Sequence, residues 1–210
     1  MKCVVCNKRK PKRFCPAKLA EICPRCCGEK RGIEIDCPLD CQYLLEGQKV
    51  HQQRVTKARI QKEGVKSYVK KADLYVKSPE FFAKVEIAIS KHYRANKNLS
   101  NKDLILGLDQ VKKTLDTMDK GIIFEYIGEN EYSNEITKEV LNIANEFINR
   151  PAQNRLDLKF IISSIDEFIK EAEYYVENEE GSQSYLRHIA RYHPEERKSV
   201  NDKSNLIITS

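Results

Sequence analysis

The chain has 210 residues, of which 40% are hydrophobic and 32% charged, and its formal net charge is +6. That is enough apolar material for one ordinary domain with a small companion, and it excludes a fibrous or disordered chain. No apolar run approaches the roughly 20 residues of a membrane-spanning helix, and the opening MKCVVCNKRK lacks a signal-peptide hydrophobic segment, so a cytoplasmic protein with no membrane partner is expected.

In chain order, the first feature is a set of eight cysteines confined to residues 3–41. They form the pairs Cys3-x-x-Cys6, Cys23-x-x-Cys26 and Cys37-x-x-x-Cys41, with Cys15 and Cys27 single. Without an export signal, such spacing points to bound metal rather than to disulfides. A tetrahedral zinc takes four thiolates, and a C-x-x-C turn presents two of them from one knuckle. Two Zn2+ per chain are therefore expected. Neighbouring side chains leave the backbone in different directions, so Cys26 and Cys27 are assigned to different ions. The first site is Cys3, Cys6, Cys23 and Cys26, and the second is Cys15, Cys27, Cys37 and Cys41. A four-thiolate site has no open coordination position, which makes both ions structural. An iron–sulfur cluster uses the same ligands and stays open as an alternative. A redox role for CPRC lacks the βαβ surroundings of thioredoxin-like proteins.

Within this segment Ile33-Glu34-Ile35-Asp36 alternates like one strand of a short hairpin. CPLDCQYLLEG reads as a helix start, with Pro38 at the first helical position and Asp40 at the positive end of the dipole. Cys37 and Cys41 would then share one face of the opening turn. Two interleaved sites of this layout resemble the treble-clef and cross-brace zinc fingers of the HIT, MYND and B-box type. The stretches ICPRCCGEKR and IDCPLDCQYL are more closely similar to a bacterial family of unassigned function, with GIIFEY and YLRHIARYHP as weaker echoes. The resemblance implies a double zinc module followed by a helical domain, and a role in protein–protein contacts.

The expected organisation is a zinc module over residues 1–45, a basic linking helix over 46–71, a helical domain over 72–199 and a tail over 200–210. Residues 42–71 are mostly polar and read as one helix continuing into solvent, with Lys62, Lys66 and Lys70 on one face. Pro79 then starts a helix carrying Phe81, Phe82, Val85, Ala88 and Ile89, and Ser100 caps one carrying Leu104, Leu108, Val111, Leu115 and Met118. Ile136, Val140, Ile143, Ala144 and Phe147 mark another, and the strongest stripe runs from Leu158 through Ile161, Ile165, Phe168, Ile169 and Ala172 to Val176. Residues 184–192 suggest a short final helix. The stretch IIFEYI at 122–127 is expected as a buried loop or one short strand, and NLIITS at the end is ambiguous. The fold class is mainly α.

The basic surplus sits at the front: residues 1–71 hold 18 Lys and Arg against 7 Asp and Glu, and the remainder 19 against 24. Eight thiolates holding two Zn2+ would remove four charges, lowering the first third from +11 to +7 and the chain from +6 to +2. Lys8, Arg9, Lys10, Lys12, Arg13, Lys62, Lys66 and Lys70 are the candidates for contact with a nucleic-acid backbone, although few aromatic residues accompany them. No phosphate loop, H-E-x-x-H or G-x-S-x-G occurs. The expected function is a zinc-binding adaptor for another protein, not an enzyme, with RNA or DNA binding as the alternative. An enzyme would need Asp103, Asp109 and Glu125 to converge. A further metal site would need His188 and His193 to join Glu195 and Glu196.

Overall fold

The computed structural model describes residues 1–179 and 181–193, and among them the chain is mainly α. The elements are β1 (Arg13–Cys15), β2 (Ala20–Ile22), α1 (Pro24–Lys30), α2 (Gln42–Glu63), α3 (Val65–Lys77), α4 (Pro79–Ala95), α5 (Asn101–Asp119), α6 (Glu131–Ile148), α7 (Leu158–Asn178) and α8 (Ser184–Tyr192). The tail NLIITS, Glu195 and Glu196 lie outside the described residues.

The body is built from the helices whose apolar stripes the sequence announces. Phe81, Phe82, Val85 and Ile89 of α4, Leu104, Leu108, Val111 and Leu115 of α5, and Ile161, Ile165 and Phe168 of α7 join one core cluster. α5 packs against both α6 and α7, and α4 against α6 and α8. The helix starts follow from local chemistry. Ser100 and Asp103 form a reciprocal capping box on α5, Asn130 Oδ1 accepts from the Ser133 N–H at the head of α6, and Asp157 Oδ1 accepts from the Phe160 N–H at the head of α7. Each satisfies N–H groups that a helix otherwise leaves without partners.

The segment 42–71 departs from a single solvent-borne helix. It breaks at Gly64, whose φ of 84° and ψ of 159° end α2 and start α3. It is also anchored rather than projecting: Val55 joins the main core, Arg59 is only 4% exposed, and Ala58, Leu74 and Tyr75 pack against the cluster. Residues 122–127 form neither a strand nor a buried loop; Ile123 is 95% exposed and Ile122, Phe124 and Ile127 are exposed with it.

A second, smaller apolar cluster holds Cys3, Cys15, Ile22, Cys23, Cys26, Cys27, Ile35, Cys37 and Leu44. It rests on the body through polar contacts to backbone carbonyls. Arg94 donates to Gly32 O at 3.0 Å and Ala190 O at 2.7 Å, Gln48 donates to Arg191 O at 2.7 Å, and Tyr192 donates to Gln48 O at 3.1 Å. A Cβ at Gly47 would meet Arg31 Nη1 at 1.7 Å, so a side chain there would push the guanidinium away from Tyr43 O and Cys27 O.

Candidate metal centre

The first two ligands come from a tight knuckle. The Asn7 N–H donates to Cys3 O at 2.8 Å and the Cys3 N–H to Arg9 O at 2.9 Å, closing a loop in which Asn7 takes a left-handed φ of 51°. Asn tolerates that conformation better than most residues. A hairpin follows, with β1 and β2 antiparallel and Cys15 opposite Ala20. It returns the chain to Cys23, the N-cap of α1, where Pro24 occupies the first turn and the Cys23 sulfur accepts the Cys26 N–H at 3.4 Å. The Cys23 N–H in turn donates to the Cys3 sulfur at 3.2 Å.

These turns gather Cys3, Cys6, Cys23 and Cys26 so that their sulfurs lie within 4.8 Å of one another, the one such set of potential metal ligands among the described residues. Cys3, Cys23 and Cys26 are sealed from solvent and Cys6 is half-buried. Electrostatics divide the thiols. The backbone N–H groups of Arg9 and Lys8 bring Cys6 down to about 6. Burial works against the thiolate at Cys3, but the N–H groups of Cys23, Cys6 and Val5 outweigh it and its pKa falls. Burial and the three neighbouring sulfurs push Cys26 up to about 12. Four sulfurs in this arrangement repel one another as anions, and a divalent cation at their centre removes that cost.

Cys27 faces elsewhere. With Cys15, Cys37 and Cys41 it lines one small cavity bounded by Ile22, Ile35 and Tyr43. Burial raises the Cys37 pKa, and charge on Cys41, Cys15 and Cys27 adds to the rise, so these four sulfurs sense one another. The backbone here differs from the expected one. Cys37 and Cys41 precede the helix, the Cys41 N–H donates to Pro38 O at 3.0 Å, and Cys41 is the N-cap of α2. Ile33 to Asp36 form no strand; Arg31 and Ile35 make a single bridge, and the hairpin is the one built by β1 and β2.

The basic candidates separate into two groups. Arg9 is hydrogen-bonded to the Cys23 sulfur, which raises its pKa, and Arg13 Nη1 lies 3.6 Å from the Cys27 sulfur with its guanidinium 4.7 Å from the Tyr43 ring centroid. Lys62 pairs with Glu177 at 2.5 Å. Lys8, Lys10, Lys12, Lys66 and Lys70 are exposed. The other candidates do not converge. Asp103 caps α5 and accepts from Asn130, Asp109 pairs with Lys113 at 2.7 Å, and Glu125 is in the exposed loop. His193 pairs with Glu86 at 2.7 Å rather than with His188, whose ring sits among Tyr175, Tyr185 and Tyr192.

Sequence reasoning missed a buried ion cluster. Arg59 donates to both oxygens of Glu63, at 3.0 and 2.9 Å, and to Glu167 at 2.9 Å, while Lys71 pairs with Glu171. The available signal was Glu167 and Glu171, four residues apart within the most apolar helix of the chain. No protein-family model matches the sequence, and neither the curated proteins nor the solved structures include a match.

Proposed function

We propose that the protein is a binding protein whose N-terminal segment is held together by two structural zinc ions. The observation that carries this reading is the sulfur cage of Cys3, Cys6, Cys23 and Cys26, gathered within 4.8 Å and largely closed to solvent. A tetrahedron with metal–sulfur bonds of about 2.3 Å places its sulfurs roughly 3.8 Å apart, within that limit. An iron–sulfur cluster encloses several irons and sulfides and needs a wider cage. With all four positions taken by protein, such an ion organises the fold and leaves no position for substrate.

The second zinc is assigned to Cys15, Cys27, Cys37 and Cys41. Their common cavity supports it, as does Arg13 beside Cys27, a positive charge where a thiolate is expected. Two interleaved sites of this kind are the arrangement of the cross-brace and treble-clef fingers. At its surface the module presents Phe14, at 57% exposure, and Leu19, at 81%, on and beside the hairpin. Apolar groups held out on a rigid scaffold favour a protein partner. Capture experiments with the wild-type chain and with a Phe14→Ser, Leu19→Ser variant should differ in one bound protein. Identical captured sets contradict the adaptor reading.

Nucleic-acid binding remains the second reading, favoured by the exposed Lys8, Lys10 and Lys12 on the module and Lys66 and Lys70 on α3. Its affinity for RNA or DNA should fall steeply with salt. Absent binding at low ionic strength removes it.

A further inference from the structure

The ion cluster of Arg59, Lys71 and Glu171 forms one wall of a cavity of about 550 Å3, within the size range of pockets that hold small organic ligands. Arg59 comes from α2, Tyr68 and Ala72 from α3, and Tyr185, His188 and Tyr192 from α8. The wall combines tyrosines and aliphatic side chains with polar and charged groups.

The fixed charges around this space lean negative. Arg59 is paired with Glu63 and Glu167, Lys71 with Glu171, and His193 with Glu86. The hydroxyls of Tyr185 and Tyr75 donate to Glu171 and Glu86. Two cations here face four carboxylates, so an anionic ligand would leave water without finding a free counter-ion, at a cost of several kcal/mol. Arg59 Nη1 and His188 Nδ1 have no hydrogen-bond partner but are sealed from the cavity, and Nη1 lies 3.6 Å from the Glu171 carboxylate. Arg59 is 4% exposed, so its place at the wall is fixed by packing and by its ion pairs.

α3 covers this space. It has no fully buried residue, it starts at Gly64 with φ at 84°, and a Cβ at Gly64 would touch nothing. Tyr75 stacks on Phe82 and Lys71 pairs with Glu171, which hold α3 in place, while Tyr68, Ala72 and Val76 line the cavity at exposed positions and leave it open to a ligand.

We propose that this cavity binds a small, ring-bearing molecule that carries no negative charge, its ring against the tyrosines of α3 and α8. The proposal is independent of the metal sites and of the adaptor reading.

The test is titration with prodan, an uncharged naphthalene ketone, against anilinonaphthalene sulfonate, a similar ring system with a negative charge. Prodan should show saturable blue-shifted emission with one dye per chain, and the sulfonate should bind about tenfold more weakly or worse. Ala72→Trp and Val76→Trp, both at exposed positions on the cavity wall, should each weaken prodan by about tenfold while the helical circular dichroism is unchanged. Phe124→Ser, in the exposed apolar loop, should leave it unaltered. Non-saturable binding, equal affinity for the sulfonate, or wild-type affinity in both tryptophan variants would overturn the proposal.

Discussion

Cys26 and Cys27 are adjacent on α1, yet the Cys26 sulfur completes a cage with Cys3, Cys6 and Cys23 while Cys27 lines a separate cavity with Cys15, Cys37 and Cys41. The short helix is what separates them, because successive helical residues point about 100° apart. Cys27→Ser should therefore release one zinc and retain the other, and Cys26→Ser should do the converse. Metal content of each purified variant checks this; loss of both ions from either variant would mean that the sites form as one unit.

Arg59 should be the most sensitive residue of the body. It is 4% exposed and holds Glu63 and Glu167 at 2.9 Å, with Glu171 at 3.6 Å. Truncation leaves buried carboxylates without their partner, which typically costs about 3–5 kcal/mol. Denaturant unfolding of Arg59→Ala should show a loss of that size, and an effect below about 1 kcal/mol would place these groups in water instead.

Acid should weaken the fold through His188. Burial, with the positive charges of Lys71 and Arg191 and of His51 when protonated, takes its pKa from 6.5 to about 3, against the opposing pull of Glu171. The folded pKa is lowered, so below 6.5 the unfolded chain takes up a proton that the folded chain refuses. Stability is then lost as pH falls, on the order of 3 kcal/mol between pH 7 and pH 4. The stability difference between wild type and His188→Gln should shrink over that interval; a constant difference contradicts a buried neutral ring.

Gly64 has open space around its Cα, so a contact argument alone would allow alanine. Its φ of 84° and ψ of 159° lie where a side chain is strained, and Gly64→Ala should cost about 1–3 kcal/mol. Unchanged thermal stability would mean that the junction of α2 and α3 relaxes freely.

Much of this architecture was legible in the sequence. The cysteine spacing marked the segment in which Cys3, Cys6, Cys23 and Cys26 come together, and stripes such as Leu104, Leu108, Val111 and Leu115 marked helices that are buried as the pattern implied. The hairpin was not legible, because strands of three residues carry too little alternation to register. Residues 37–41 were read as helix from Pro38 and Asp40, but the chain makes a turn there and caps α2 at Cys41. Arg59 and Lys62 lie three residues apart in the same polar stretch; three-dimensional placement alone separates the buried Arg59 from the exposed Lys62 that pairs with Glu177. The exposed Ile123 and Phe124 violate the rule that apolar runs are buried, a rule that fails wherever no neighbouring element covers the loop.

The two-zinc account is tested most directly by elemental analysis of protein purified without added metal, with thiol titration on the same sample. It predicts two zinc per chain and no disulfides. Fewer than one zinc per chain, or iron in its place, would contradict it.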